Sequence, residues 1–341
     1  VSWGVAPLHP TRHYLVLTSL LTNIEFQLYI MRSILKITVI TGLTFFVCTA
    51  MRTSSKTHII LPKIDSTDEL FDAGTKPQLI SKQFSFTEGA SVDKKGNVFF
   101  TDQNNNKIWE YDVNGKLSLF LDSAGRSNGM YIDKKGNLIT CADEHEQLWS
   151  ISHKKQIKVL LKDYQGHLFN GPNDVWVAPD GGLYITDPYY QRPWWLRKKS
   201  DLDGEKVYYL AKNSSNPVIV ISDFKKPNGI VGTPDGKYLY VADAGGGKTY
   251  KYKINKDGSL SDKTLFVARG SDGMTLDEKG NVYITGRGVF IYNPEGKQIG
   301  QIPINEPWTA NLCFGGKNKN VLFITASTAI YTMQMKVKGV E

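Results

Sequence analysis

The stretch TEGASVDKKGNVFFTD, residues 87–102, holds two alternating apolar runs joined by a D-x-x-G turn. Asp and Gly at such a reversal supply the side-chain hydrogen bond and the positive φ of a tight hairpin. The pattern returns as SNGMYIDKKGNLITCAD (127–143), PNDVWVAPDGGLYITD (172–187), PNGIVGTPDGKYLYVAD (227–243) and SDGMTLDEKGNVYITG (271–286). Aligned on their second position, the five copies carry Glu88, Asn128, Asn173, Asn228 and Asp272, at spacings of 40, 45, 55 and 44 residues. Self-similarity at this period marks a repeat architecture. Third and fourth β-rich runs follow each hairpin, such as KIWEYDV then LSLFL, or QLWSIS then IKVLL, with almost no helix signal. Four strands per repeat predict the blades of a β-propeller.

A sixth copy, TANLCFGGKNKNVLFITASTAIYTMQMKV (309–337), has only three strands. Its fourth must come from elsewhere, or a sheet edge stays unpaired. PQLISKQFS (77–85) is the natural donor. The expected fold is therefore all-β, a six-bladed propeller over residues 76–339 whose last blade is closed by an N-terminal strand.

The chain has 341 residues, 41% hydrophobic and 22% charged, with a formal net charge of +8. Residues 1–50 contain three basic residues and one acid, so the remainder still carries a net +6, with no run of like charges. That excess reads as a solvated surface and argues against a nucleic-acid partner. Of three cysteines, Cys141 and Cys313 sit among apolar residues in separate repeats, and no C-x-x-C occurs. They are expected as buried free thiols. Met31, Arg32 and Lys36 precede an apolar run from Ile37 to Val47 and small residues at Thr49 and Ala50, the layout of a signal peptide. The expected organisation is a leader over 1–50, with 1–30 an over-extended start and 31–50 the signal peptide, then a linker over 51–75. Secretion or export to the periplasm follows, with no stable membrane association once the leader is cleaved. The alternative is an anchor retained over residues 37–50.

In a propeller the first strand of every blade lines the central channel and starts at one face. The five second-position residues should therefore meet at one mouth of the channel. Asn or Asp before Gly often only begins a strand after a turn, but a glutamate has no such local reason to stand at residue 88. Glu88 and Asp272 supply carboxylates, and Asn173 and Asn228 supply amide oxygens. Buried acids need a compensating charge. Two carboxylates with all-oxygen neighbours suit one hard divalent cation, calcium first, with magnesium or manganese next and zinc less well matched. The loop after blade three's second strand, DPYYQRPWWLRKKSDLDGEK (187–206), accounts for the longest spacing and is a candidate lid.

The segments NGPNDVWVAPDGGLYITDPYY, SDGMTLDEKGNVYIT and TANLCFGG…LFITAST resemble the regucalcin/gluconolactonase family, which includes luciferin-regenerating enzyme, and its bacterial gluconolactonase branch in particular. The likeness covers Phe84 to Gly339. It implies a six-bladed propeller with one divalent cation held by Glu88, Asn173, Asn228 and Asp272. The implied activity is metal-dependent hydrolysis of a sugar lactone to its aldonic acid, with Asp272 also the general base. Asn128, Arg126, Tyr190 and His145 are the candidate substrate contacts. Arg126 could equally pair on the rim. His145 could be a surface residue, because relatives often read C-E-H-G-N where this chain reads Cys141, Ala142, Asp143, Glu144, His145. Arg192, Trp194, Trp195 and Arg197 either shape the substrate pocket or pack the loop. Two other readings stay open: a broader lactonase or phosphotriesterase-like hydrolase on the same site, and a non-enzymatic NHL-like binding propeller.

Overall fold

A computed structural model of the protein describes residues 67–341. The leader expected over 1–50 and most of the linker lie outside the described residues. Among those described, no helix is long and apolar enough to cross a membrane.

Six four-stranded antiparallel sheets form a ring, a six-bladed propeller. Strand β1 (Gln78–Ser81) comes first among the described strands but pairs with the last. Blade one is β2 (Thr87–Val92), β3 (Val98–Asp102), β4 (Lys107–Tyr111) and β5 (Leu117–Asp122). Blade two is β6 (Ser127–Ile132), β7 (Leu138–Ala142), β8 (Gln147–Ile151) and β9 (Ile157–Leu161). Blade three is β10 (Val175–Val177), β11 (Leu183–Asp187), β12 (Lys206–Leu210) and β13 (Val218–Ile221). Blade four is β14 (Pro227–Gly232), β15 (Tyr238–Asp243), β16 (Lys248–Ile254) and β17 (Leu260–Val267). Blade five is β18 (Met274–Leu276), β19 (Val282–Gly286), β20 (Gly288–Tyr292) and β21 (Gln298–Ile302). Blade six is β22 (Asn311–Gly315), β23 (Val321–Ala326) and β24 (Ala329–Gln334), completed by β1 in the order β1-β24-β23-β22. The donor strand thus closes the ring and removes the open edge of blade six. The segment just before it also packs down: Leu70 is buried, and its carbonyl accepts the Lys336 amide at 2.8 Å.

The turn residues act as their chemistry requires. Asp93 Oδ1 accepts the amides of Lys95 and Asn97 at 2.8 and 2.9 Å, and Asp133 and Asp277 repeat the arrangement. A second aspartate closes the opposite end of three hairpins. Asp102 accepts the amides of Ser85 and Phe86, Asp187 those of Asn170 and Gly171, and Asp243 those of Lys225 and Lys226. Each carboxylate fixes the chain as it enters the inner strand of its own blade.

Inner strands β2, β6, β10, β14, β18 and β22 touch in succession and close the ring. Their approach explains the glycine after the second position better than any turn does. A Cβ on Gly229 would lie deep inside the van der Waals radius of the Asp272 carbonyl oxygen, and one on Gly89 would meet the Asn128 carbonyl in the same way. Direct inter-blade hydrogen bonds use the same closeness: the Gly129 amide to Asn173 O and the Gly273 amide to Ala310 O, both 2.7 Å. Gly229→Ala is therefore expected to destabilise the fold by about 3 kcal/mol, the upper end for overpacking. The denaturation midpoint of the purified variant checks this.

Candidate active site

The second-position side chains are aimed by a shared irregularity. Pairing of β2 with β3 shifts register between Glu88 and Ser91. The same shift falls between Ser127 and Met130, and between Pro227 and Ile230. A bulge of this kind re-aims the side chain beside it. Glu88, Asn128, Asn173, Asn228 and Asp272 all line one cavity of about 650 Å³ at the channel mouth, and all five are buried. Blade six has Ala310 at this position, so its second-position residue brings no polar side chain.

Glu88 and Asp272 face each other. Burial pushes the Glu88 carboxyl well above the usual range, and the neighbouring Asp272 charge adds to it. Burial likewise raises Asp272, to about 6, with hydrogen bonds from Trp308, Asn228 and Glu88 holding it back. Trp308 Nε1 donates to Asp272 Oδ2 at 2.6 Å, and Asn228 Nδ2 to the Tyr190 hydroxyl at 3.4 Å. Among the described residues, no lysine or arginine forms an ion pair with either acid. Two buried carboxyls in contact, both raised by burial, are the environment a divalent cation would relieve. The donors around them are carboxylate and amide oxygens, which fits calcium or another hard ion better than zinc. No group of three or more His, Cys, Asp or Glu side chains gathers among the described residues. The quartet here has two acids and two amides.

The loop after β11 forms part of the wall. Tyr190 and Arg192 line the cavity, while Trp195 and Arg197 pack the loop down. Trp195 is buried and donates to Asp143 O at 2.8 Å; Arg197 pairs with Glu146 at 2.6 Å and binds the carbonyls of Phe169 and Asn170. Arg192 is anchored by Asp143 at 2.9 Å, and Asp143 also accepts Gln103 Nε2 at 3.3 Å. Asp143 is free to do this because blade two is offset by one residue. Ala142 pairs with Ser127, where Asp102 and Asp243 pair with Thr87 and Pro227.

Two expected substrate contacts stand outside the cavity lining. Arg126 reaches the Asn104 carbonyl at 2.5 Å and lies 4.6 Å from the Trp194 ring centre. His145 is exposed and stacks on Trp149 at 5.2 Å. Conversely, Phe86, Lys226 and Trp308 line the cavity without having been singled out, as do Arg269 and Arg287. The first three occupy one repeat position, two residues before the second position, so the same alignment contained the signal. Cys141 and Cys313 are buried and unpaired, as expected.

A closed six-bladed ring with two acids and three amides at one channel mouth defines a class of small-molecule propeller with a polar, cation-suited centre. Residues 86–328 match the SMP-30/Gluconolactonase/LRE-like region, and the chain belongs to that family. It is 26% identical over 307 residues to a gluconolactonase of Zymomonas mobilis, covering 80% of this chain and 85% of the relative. A gluconolactonase structure from Xanthomonas campestris superposes with a TM-score of 0.73 at 24% identity, covering 79% of this chain and 91% of that one. A regucalcin from Agrobacterium tumefaciens, described as a calcium-binding protein, superposes with a TM-score of 0.66 at 16% identity, covering 78% and 95%.

Proposed function

We propose that the chain hydrolyses the ring ester of a sugar lactone to the open hydroxy acid, with Asp272 as general base. The observation that carries this reading is the buried Glu88–Asp272 pair, set with Asn128, Asn173 and Asn228 at one cavity. A volume of about 650 Å³ suits a single sugar ring. The family and its gluconolactonase relative support the choice of substrate class.

Glu88, Asn173, Asn228 and Asp272 would hold one divalent cation, calcium foremost given the donor oxygens and the calcium-binding regucalcin neighbour. When bound, such an ion supplies positive charge for the oxygen that turns negative as water adds to the lactone carbonyl. Asp272 takes the proton from that water. The C–O ring bond then breaks and the ring oxygen leaves as a hydroxyl, receiving the proton that Asp272 holds. Trp308 donates to one carboxylate oxygen of Asp272 and so fixes the orientation of the group. Asn128, the Tyr190 hydroxyl and Arg192 offer donors and acceptors to the sugar hydroxyls.

Loss of the indole N–H in Trp308→Phe should lower kcat by about tenfold, matching about 1.5 kcal/mol for a hydrogen bond to a charged group. KM should move little, since the ring is kept; steady-state kinetics reads both. The reading itself is tested with a panel of five- and six-membered lactones, following acid release by a pH indicator. Enzyme-dependent acid release that chelator removes and calcium restores supports it. If the folded, calcium-loaded protein opens no lactone, the binding-propeller reading takes its place.

A further inference from the structure

The cavity's cations are not balanced evenly. Four basic side chains line it: Arg192, Lys226, Arg269 and Arg287. Arg192 is matched by Asp143, and Lys226 is matched by Glu205 while also donating to Tyr189 O at 2.5 Å. Glu88 and Asp272 are matched to each other's needs by one divalent cation on the reading above. Arg269 and Arg287 remain. Among the described residues neither forms an ion pair with an acid, and both are exposed. Arg269 spends only its Nε, on the Tyr292 hydroxyl at 3.2 Å, and its guanidinium lies 3.7 Å from the Phe290 ring centre. That contact holds the head in place and leaves its terminal nitrogens to donate.

Both arginines belong to blade five and to the same end of it. Arg269 lies on the segment entering β18, three residues before Asp272, and Arg287 sits in the tight turn between β19 and β20. Gly286 and Gly288 flank it with φ of 159° and 97°, so the turn itself is built around glycine while the long cationic chain projects from it. Two unmatched guanidiniums on one wall of a ligand cavity make an anion site, because each offers a planar pair of donors suited to carboxylate, phosphate or sulfonate oxygens. A neutral sugar lactone offers them hydroxyl oxygens but no opposite charge.

We propose that the substrate is an anionic aldonolactone, one whose far end carries a phosphate, carboxylate or sulfonate, and that Arg269 and Arg287 bind that group while the lactone carbonyl faces Asp272. This rests on the lactonase reading for the reaction, but the anion site can be tested separately from it. The first arm compares glucono-1,5-lactone with its 6-phosphate ester. Wild-type kcat/KM should favour the phosphate ester by at least tenfold, and the preference should shrink as salt is raised. In an Arg269→Gln/Arg287→Gln double variant the loss should fall at least tenfold harder on the ester than on the neutral lactone, through KM rather than kcat. The Arg269→Lys/Arg287→Lys pair, which keeps both charges, should retain most of the preference. Equal losses on the two lactones, or a wild type without preference, would overturn the proposal. The second arm needs no turnover: calorimetric titration with 6-phosphogluconate and with gluconate. Tighter binding of the phosphate ester by wild type, lost in the glutamine pair, supports the anion site even if no lactone is opened. Equal binding of the two acids by wild type would sink it even if the lactones are hydrolysed.

Discussion

Asp272→Asn should cut kcat for lactone opening by about 10²–10⁴-fold, the usual range for removing a general base. Asparagine is the informative choice because it keeps an oxygen for the cation and an acceptor for Trp308 Nε1. It removes the ability to take a proton and, with it, one of the two negative charges that balance the cation. Turnover should collapse even at calcium concentrations that saturate the variant, with the fall in cation affinity a separate effect. Steady-state kinetics with matched calcium titrations separates the two effects. An asparagine variant with wild-type kcat would take the base away from this residue.

Glu88→Gln should have the opposite pattern in stability. Without a cation, wild type must bury two acids in contact, and burial with the Asp272 charge raises Glu88 well above its ordinary range. Replacing one acid by a neutral isostere relieves that repulsion, so the chelator-treated variant should be at least as stable as chelator-treated wild type. The cation response should vanish instead. A ligand at a hundredfold its Kd stabilises the native state by about 2.7 kcal/mol. Wild type should show a calcium-dependent rise in midpoint of this origin, and the variant should show none. Lactone hydrolysis should fall with it, because the variant cannot hold the ion beside the carbonyl. A midpoint in Glu88→Gln that still climbs with calcium as in wild type would mean that the ion sits elsewhere.

The repeat made most of this readable. Copies in register give the blade count, the donor strand and the convergence of Glu88, Asn128, Asn173, Asn228 and Asp272, because symmetry turns sequence position into place around an axis. The glycine beside these residues was readable as a signal and misleading in its cause. It looks like a turn residue, and at Gly229 and Gly273 it is the space one blade needs to reach the next. What the repeat could not give is any partner chosen across blades. Arg192 points to the cavity because Asp143 holds it, and Asp143 is available only through a one-residue offset in blade two. Arg197, in the same loop and of the same type, is consumed by Glu146 and two carbonyls. Nothing local distinguishes the two arginines. Arg126 lies against Trp194 of the next blade's loop, whereas His145 stacks on Trp149 of its own blade, and neither lines the cavity.

Crystals grown with saturating calcium give the most direct measurement. The expected result is a single ion at the channel mouth, about 2.3–2.6 Å from oxygens of Glu88, Asn173, Asn228 and Asp272. A mouth that stays empty at saturating calcium, or an ion bound by other residues in a protein that still opens lactones, would contradict the account.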